Sequence, residues 1–227
     1  MLAAYFNFVV ILSFITAKKD KNLILYPIFL TNWNVILNGV SSGFSAVIVT
    51  QYYRNFQKLE EELKSMTAKL KTAWILSSFS VVLAVSISLI YWPLIYTGRD
   101  KGVNDALTHA GNAIVLFIDL FVNAQPPRYG HFVHQSLFVT VYCFFNFMYI
   151  ISGGVNRDSK PYIYRVLNWK NNTFSALLFA VSTLLFIIFI HFVLSACIQL
   201  RIWIYEKLCQ RKQRKKIADN AESSLDV

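Results

Sequence analysis

Four polar side chains recur at helical spacing in an otherwise apolar segment, residues 105–125. They are His109, Asn112, Asp119 and Asn123, at i, i+3, i+10 and i+14, which places them on one face of an α-helix. Ionisable groups inside a bilayer are costly, so they usually face the interior of a helix bundle or a wet cavity. The stripe is therefore a candidate functional site. The alternative interpretation is interhelical hydrogen bonding, which is common in such bundles.

A second polar stripe, formed by Thr31, Asn34 and Asn38, precedes it in the chain at i, i+3 and i+7. If both stripes lie on spans that enter from the same side, Thr31 and His109 both sit roughly 8–12 Å below one surface. A neutral imidazole can take the proton of a hydroxyl nucleophile, so this pair is the minimum for acyl transfer. Nearby asparagine amides can donate to an oxyanion. On spacing alone, a polar-lined cavity of unknown use remains the default interpretation.

Asp119 lies some 15 Å along the helix axis from His109, because ten residues separate them. We therefore expect it to form bonds within the bundle or to line a cavity floor rather than to orient the imidazole. Metal binding is not expected, because the four histidines of the chain cannot form the repeated histidine boxes of a di-iron oxygenase. No cofactor motif is present, so we expect no cofactor.

Composition and charge distribution predict the elements that hold these side chains. Of 227 residues 56% are hydrophobic and only 15% are charged, against about a quarter in soluble domains. Long uncharged stretches separate short charged islands, and a span needs about 20 apolar residues. We predict an all-α integral membrane bundle of six helices over residues 1–209, the first an uncleaved helix rather than a signal peptide. The expected spans are 2–17, 23–50, 73–96, 105–125, 132–151 and 174–200.

The basic and amphipathic segments indicate partners. An apolar stripe in loop 51–71, formed by Phe56, Leu59, Leu63, Met66 and Leu70, predicts a short amphipathic helix on the membrane or a partner. The tail, 210–227, is expected to be disordered. Its basic cluster is expected to contact anionic lipid headgroups through Arg211, Lys212, Arg214, Lys215 and Lys216.

No basic surface stripe with interleaved aromatic residues is apparent, so nucleic acid is not an expected partner. Lys and Arg are more numerous on the side that holds both termini. The positive-inside rule then places both termini in the cytoplasm, with the chain in an endomembrane or the plasma membrane.

Several segments together resemble one family of multi-pass proteins, the rolling stone-like and androgen-induced membrane proteins. The segments are FLTNWN (29–34), EEELK (60–64), WPLIY (92–96), HAGNAIVLFIDLF (109–121) and PYIYRVLNW (161–169). The resemblance implies a six-helix bundle with cytoplasmic termini. Its androgen-induced members are threonine hydrolases that cleave fatty acid esters of hydroxy fatty acids. By position, the resemblance assigns the nucleophile to Thr31 and the second catalytic residue to His109.

Asn112 departs from the hydrolase pattern, which tends to carry a second histidine at this position. Together with IDLF and YIYRVLNW, it is more similar to the rolling stone branch, which is associated with cell fusion and development. We therefore hold two hypotheses: a membrane hydrolase of lipid esters, which we place first, and a non-enzymatic membrane protein that acts through partner or lipid binding. A transporter ranks third, because no internal repeat is visible.

Overall fold

A computed structural model describes residues 1–19, 23–55, 65–96, 102–123, 125–126 and 128–223, with side chains of the last helix as far as Lys212. Within these ranges the chain is helical, and six helices are long and apolar enough to cross a membrane. They are α1 (Leu2–Lys19), α2 (Leu30–Arg54), α3 (Ala68–Ile95), α4 (Gly102–Val122), α5 (Phe132–Ile151) and α6 (Thr173–Ser223). The prediction of an all-α, six-span membrane bundle is confirmed.

The α5 helix shows why the bundle suits a bilayer. Its buried face carries Gln135, Tyr142 and Asn146 beside Val139 and Ile150. Its exposed face is apolar and includes Leu137, Val141, Phe144 and Met148. A soluble helix has the opposite arrangement. Polar groups inside and apolar groups outside are expected when the solvent is lipid.

The α3 helix is the centre of the bundle and packs against α2, α4, α5 and α6. Small side chains on its buried face, Ser80, Ala84 and Ser86, allow these neighbours to approach closely. Leu83 is fully buried and belongs to a core cluster that also includes Leu116 of α4 and Val139 of α5. Because α3 touches four helices, displacement of its side chains affects most of the bundle.

The segment 152–172 between α5 and α6 packs over one end of the bundle. Ile163, Leu167 and Trp169 are buried there against Ile28 and Ile150. The Trp169 indole Nε1–H donates to the Asn146 Oδ1 inside the bundle at 2.9 Å. We call this segment the cap. It is a packed part of the structure, since its apolar side chains complete the second core cluster.

The start of α2 differs from the sequence prediction, which began this span at residue 23. Residues Tyr26–Ile28 form a 3₁₀ turn, and α2 begins at Leu30. Pro27 lacks an N–H and restrains the preceding residue. The side chains of Asn32 and Trp33 donate to the carbonyls of Tyr26 and Pro27, at 2.6 Å each. Thr31 is therefore in the first turn of a helix, not eight residues inside one.

The C-terminal segment also requires a correction. Residues 210–223, expected to be disordered, continue α6 as helix. The physical reason is that Lys, Arg, Gln, Glu and Ala are good helix formers, and here they extend a helix that already exists. Most of the amphipathic stripe predicted in loop 51–71, from Phe56 to Leu63, lies outside the described residues.

Packing around α3 generates a stability prediction. Leu83→Ala removes a fully buried side chain, and the cavity left behind should lower the free energy of unfolding by about 2–5 kcal/mol. Thermal or denaturant unfolding of the purified protein in detergent measures this. Leu89→Ala, on the exposed side of the same helix, is the matched control and should change stability by less than about 0.5 kcal/mol. Equal effects of the two substitutions would contradict the central position of α3.

Candidate functional site

Thr31 lines a cavity of about 50 Å³ at the end of the bundle that the cap covers. Most of its wall is apolar, from side chains of α3, α5 and α6. The lining residues that carry a hydroxyl are Thr31, Tyr91, Tyr142, Tyr164 and Thr183. A largely apolar cavity with a few polar side chains has the character of a ligand site.

The N-terminus of α2 opens onto this cavity. The backbone N–H of Leu30 donates to the phenol oxygen of Tyr164, in the cap, at 3.0 Å. The same oxygen interacts with the backbone and the hydroxyl of Thr31. Burial raises the pKa of Tyr164, so the phenol is protonated at neutral pH. A helix N-terminus carries partial positive charge and free N–H groups, and here an oxygen of the cap satisfies them.

Tyr91 connects the cavity to His109. The Tyr91 hydroxyl donates to both carboxylate oxygens of Asp105, at 2.8 and 2.7 Å. Its ring is stacked on the imidazole of His109, with centroids 3.4 Å apart and planes 5° from parallel. The His109 Nε2 lies 3.6 Å from Asp105 Oδ1, an ion-pair distance. The side chains of His109 and Asp105 are 8% and 12% exposed, so this cluster is shielded from solvent.

A π-helical turn lies on each side of this cluster. Tyr91 begins the turn Tyr91–Ile95 at the end of α3, and His109 is in the turn Leu107–Gly111 of α4. Pro93 explains the first turn, because proline cannot continue the α-helical hydrogen bonding. Such π turns shift the side-chain register and are frequent at functional sites. The second turn ends at Gly111, where a Cβ would lie 2.5 Å from the Tyr5 hydroxyl, so glycine allows α1 to approach closely.

The predicted site residues fall into three places. Thr31 lines the cavity, while His109 is not among its lining residues and reaches it through Tyr91. Asn34, Asn38 and Asn112 are almost completely buried. Their amides lie between helices and do not line the cavity.

The Asn112 amide donates to the Thr108 carbonyl at 3.2 Å. The Asn38 amide has no partner among the described residues. Asp119 and Asn123 line a different cavity at the opposite end of α4. The separation of Asp119 from His109 agrees with the spacing argument. The stripe as a whole does not form one site.

Sequence reasoning missed three side chains of the site. Asp105 carries a local signal, because it precedes His109 by four residues and such pairs meet on one helix face. Tyr91 stands with Trp92 and Tyr96 at the end of an apolar run, where aromatic residues usually mark the membrane interface. Tyr164 comes from the cap, more than 130 residues from Leu30, and no local spacing predicts that contact.

Comparison with known proteins places the chain among relatives. The profile of the family described as "Protein rolling stone" matches residues 1–210. The chain is similar to "Protein rolling stone" of Drosophila melanogaster, with 29% identity over 179 residues. The alignment covers 74% of this chain and 64% of the fly protein, which is less than two thirds of its length. No solved structure matches.

The Tyr91–Asp105 interaction generates a second stability prediction. Tyr91→Phe removes the hydroxyl that satisfies both oxygens of a largely buried carboxylate, which should cost about 1.5–3 kcal/mol of unfolding free energy. Thermal unfolding in detergent measures the loss. Tyr53→Phe, at an exposed tyrosine near the end of α2, is the matched control and should be neutral. A neutral Tyr91→Phe would show that the phenol is not needed to hold Asp105.

Proposed function

This chain belongs to the rolling stone family of membrane proteins, and we propose that it is a threonine hydrolase that cleaves lipid esters within the bilayer. One observation carries the proposal. Thr31 lines a largely apolar cavity at a helix N-terminus, and Tyr91 of the same cavity is stacked on His109. A nucleophile and backbone donors are thus placed at an apolar cavity, and the proposed base lies behind Tyr91.

In the proposed reaction, the Thr31 Oγ attacks the ester carbonyl carbon and its proton passes to the His109 imidazole. The tetrahedral intermediate collapses, the C–O bond to the alcohol breaks, and the imidazolium returns the proton to the leaving alkoxide. Water then attacks the acyl-threonine ester with His109 as base. The products are a fatty acid and an alcohol, and Thr31 is regenerated.

The N-terminus of α2 supports the oxyanion step. The N–H groups of Leu30 and Thr31 point to the Tyr164 oxygen, so they are already aimed at an oxygen acceptor. In the reaction, the carbonyl oxygen of the substrate replaces the phenol at these donors. Backbone donors that are fixed in advance stabilise developing negative charge without reorganisation.

Asp105 and Tyr91 act as positioning residues. The Asp105 carboxylate lies beside His109 Nε2 and would stabilise the imidazolium that forms when His109 accepts a proton. Tyr91 fixes the carboxylate by two hydrogen bonds and the imidazole by stacking. Neither needs to contact the substrate for this role.

The apolar wall indicates the substrate class. Ile87, Ile90, Val139, Phe179 and Ala180 offer dispersion contacts and no charge to an alkyl chain. We propose fatty acid esters of hydroxy fatty acids or similar lipids, which enter laterally from the membrane. Both termini are proposed to be cytoplasmic, which places the cap and the Thr31 cavity at the opposite face of the membrane.

The family match also favours a second candidate, a non-enzymatic role through partner or lipid binding. The exposed Arg211 and Lys212 of α6 begin the basic cluster proposed to contact anionic headgroups. In that case, charge reversal in 211–216 should disturb function, while Thr31→Ala should not.

The catalytic roles can be tested by substitution. Thr31→Ala and His109→Ala should each lower the hydrolysis of a fatty acid ester of a hydroxy fatty acid by at least about 100-fold, because each removes a reacting group. Thr31→Ser should retain measurable activity, since it keeps a hydroxyl. The measurement is product release by purified protein in detergent, with labelling by a fluorophosphonate probe in parallel.

Thr50→Ala is the matched control, because Thr50 lies on the same helix with its hydroxyl bonded to the Ala46 carbonyl. It should leave hydrolysis and labelling unchanged. The second candidate would be favoured if the folded wild-type protein neither hydrolyses esters nor reacts with the probe, and the variants are equally inactive. Activity that survives Thr31→Ala would exclude this nucleophile.

The proposed orientation of the chain predicts that the cap and the residues before α3 are labelled from opposite sides of the membrane. In a variant without Cys143, Cys197 and Cys209, an impermeant maleimide should label Ser159→Cys in the cap from the non-cytoplasmic side. Ser65→Cys, which precedes α3, should be labelled only after permeabilisation, because α3, α4 and α5 separate the two positions by three membrane crossings. The reverse pattern would invert the proposed topology.

A further inference from the structure

The cavity at Thr31 has room for only a small part of a lipid. Its volume is about 50 Å³, against roughly 300–1,000 Å³ for sites that enclose a drug-sized ligand. A substrate whose ester reaches Thr31 must therefore leave its alkyl chains in the bilayer and any polar head group at the surface of the cap. Residues that recognise such a head group have to lie on the cap, beside the N-terminus of α2.

The cap carries a concentration of positive charge. Its only acidic side chain is Asp158, and its cations, all exposed, are Arg157, Lys160, Arg165 and Lys170. Within the described ranges none of these cations forms an ion pair. The N-terminus of α2 adds partial positive charge at the same end of the bundle. This face therefore favours an anionic group.

Arg157 connects this charge to the start of α2. Its guanidinium lies over the ring of Phe29, 4.9 Å from the centroid. Phe29 is the N-cap residue of α2, two residues before Thr31. Its ring also meets the ring of Tyr164 edge to face, with centroids 6.0 Å apart. Because the Tyr164 oxygen accepts the Leu30 N–H, a continuous series of contacts runs from the guanidinium to the helix turn that holds Thr31.

The turn that carries Arg157 is held by its own hydrogen bonds. The Asn156 Oδ1 accepts the backbone N–H groups of Asp158 and Lys160, at 2.9 Å each. The Asn156 N–H donates to the Lys160 carbonyl at 2.9 Å. Within the described ranges the guanidinium of Arg157 donates no hydrogen bond. An arginine restrained in this way loses little freedom on binding, and its N–H edge can still bind two oxygens.

We propose that Arg157 binds the free carboxylate of the lipid whose ester is presented to Thr31. The position of the ester rests on the proposed hydrolysis. A fatty acid ester of a hydroxy fatty acid has one carboxyl group in the ester and a second that is free and ionised at neutral pH. The planar edge of a guanidinium donates two parallel hydrogen bonds to a carboxylate. Arg157 then selects acidic lipid esters over neutral ones.

The test is equilibrium binding of a lipid that cannot be hydrolysed, the ether in which a hexadecyl chain replaces the palmitoyl group of palmitoyl hydroxystearic acid. The tritiated acid and its methyl ester are bound to the full chain in phosphatidylcholine nanodiscs, with empty nanodiscs as background. The acid should bind at least about tenfold more tightly, because the methyl ester lacks the charge-assisted bond. Arg157→Gln should abolish this preference, and Arg157→Lys should retain part of it.

Arg54→Gln, at an exposed arginine at the opposite end of α2, is the matched control and should leave the preference unchanged. Asp158→Asn removes an opposing charge and should leave the acid bound as tightly or more tightly. Equal binding of acid and methyl ester by the wild type, or a preference for the acid that persists in a folded Arg157→Gln protein, would overturn the proposal. Displacement of the acid by dihexanoylphosphatidylglycerol or inorganic phosphate as effectively as by unlabelled acid would overturn it as well, since any anionic phosphate would then suffice.

Because the ether is not cleaved, this experiment separates carboxylate binding from catalysis. A protein that shows the Arg157-dependent preference but hydrolyses no ester would support the carboxylate site and reject the proposed hydrolysis. A protein that binds acid and methyl ester equally, and hydrolyses the corresponding esters with equal kcat/KM, would support the hydrolysis and reject the carboxylate site.

Discussion

A carboxylate held away from water inside a membrane protein must be paired, and the bonds that Tyr91 donates to Asp105 meet this constraint. The interaction joins the end of α3 to the start of α4. It also fixes the imidazole of His109, which lies between the carboxylate and the aromatic ring. Each of the two π turns carries one side chain of this cluster, Tyr91 in the first and His109 in the second. The candidate active site is thus also the point at which two central helices are joined.

The hydropathy pattern was sufficient to predict the six spans, because lipid requires long apolar helices and leaves few alternatives. The α5 bounds agree with the structure to the residue, since charge-free sequence and flanking glycines delimit it. The predicted start of α2 at residue 23 was wrong. An apolar run that contains Pro27 cannot be divided into turn and helix from hydropathy alone, and the side-chain bonds of Asn32 and Trp33 decide it.

The candidate site was predictable only where its signal is local. Thr31 and His109 stand out because polar residues are rare in spans, and the resemblance adds to that argument. Asp105 could have been identified as a partner of His109 from its spacing of four residues. The sequence analysis used it only as the first residue of the predicted span. Tyr164 could not be predicted, because its contact with Leu30 depends on how the cap folds back over α2. The separation of Asp119 and Asn123, which line a cavity at the opposite end of α4, from His109 likewise depends on which neighbours pack at each end.

When no substrate is bound, the cap supplies a hydrogen-bond acceptor that the N-terminus of α2 requires. A helix N-terminus inside the membrane cannot leave its N–H groups without an acceptor, and the Tyr164 oxygen provides one for α2. A purely apolar lipid that displaced the phenol would leave these donors unsatisfied, which would make its binding less favourable. A lipid that carries a carbonyl oxygen would replace one acceptor with another. The same backbone groups that would stabilise an oxyanion therefore also select, at the binding step, for a ligand with an ester at the right depth.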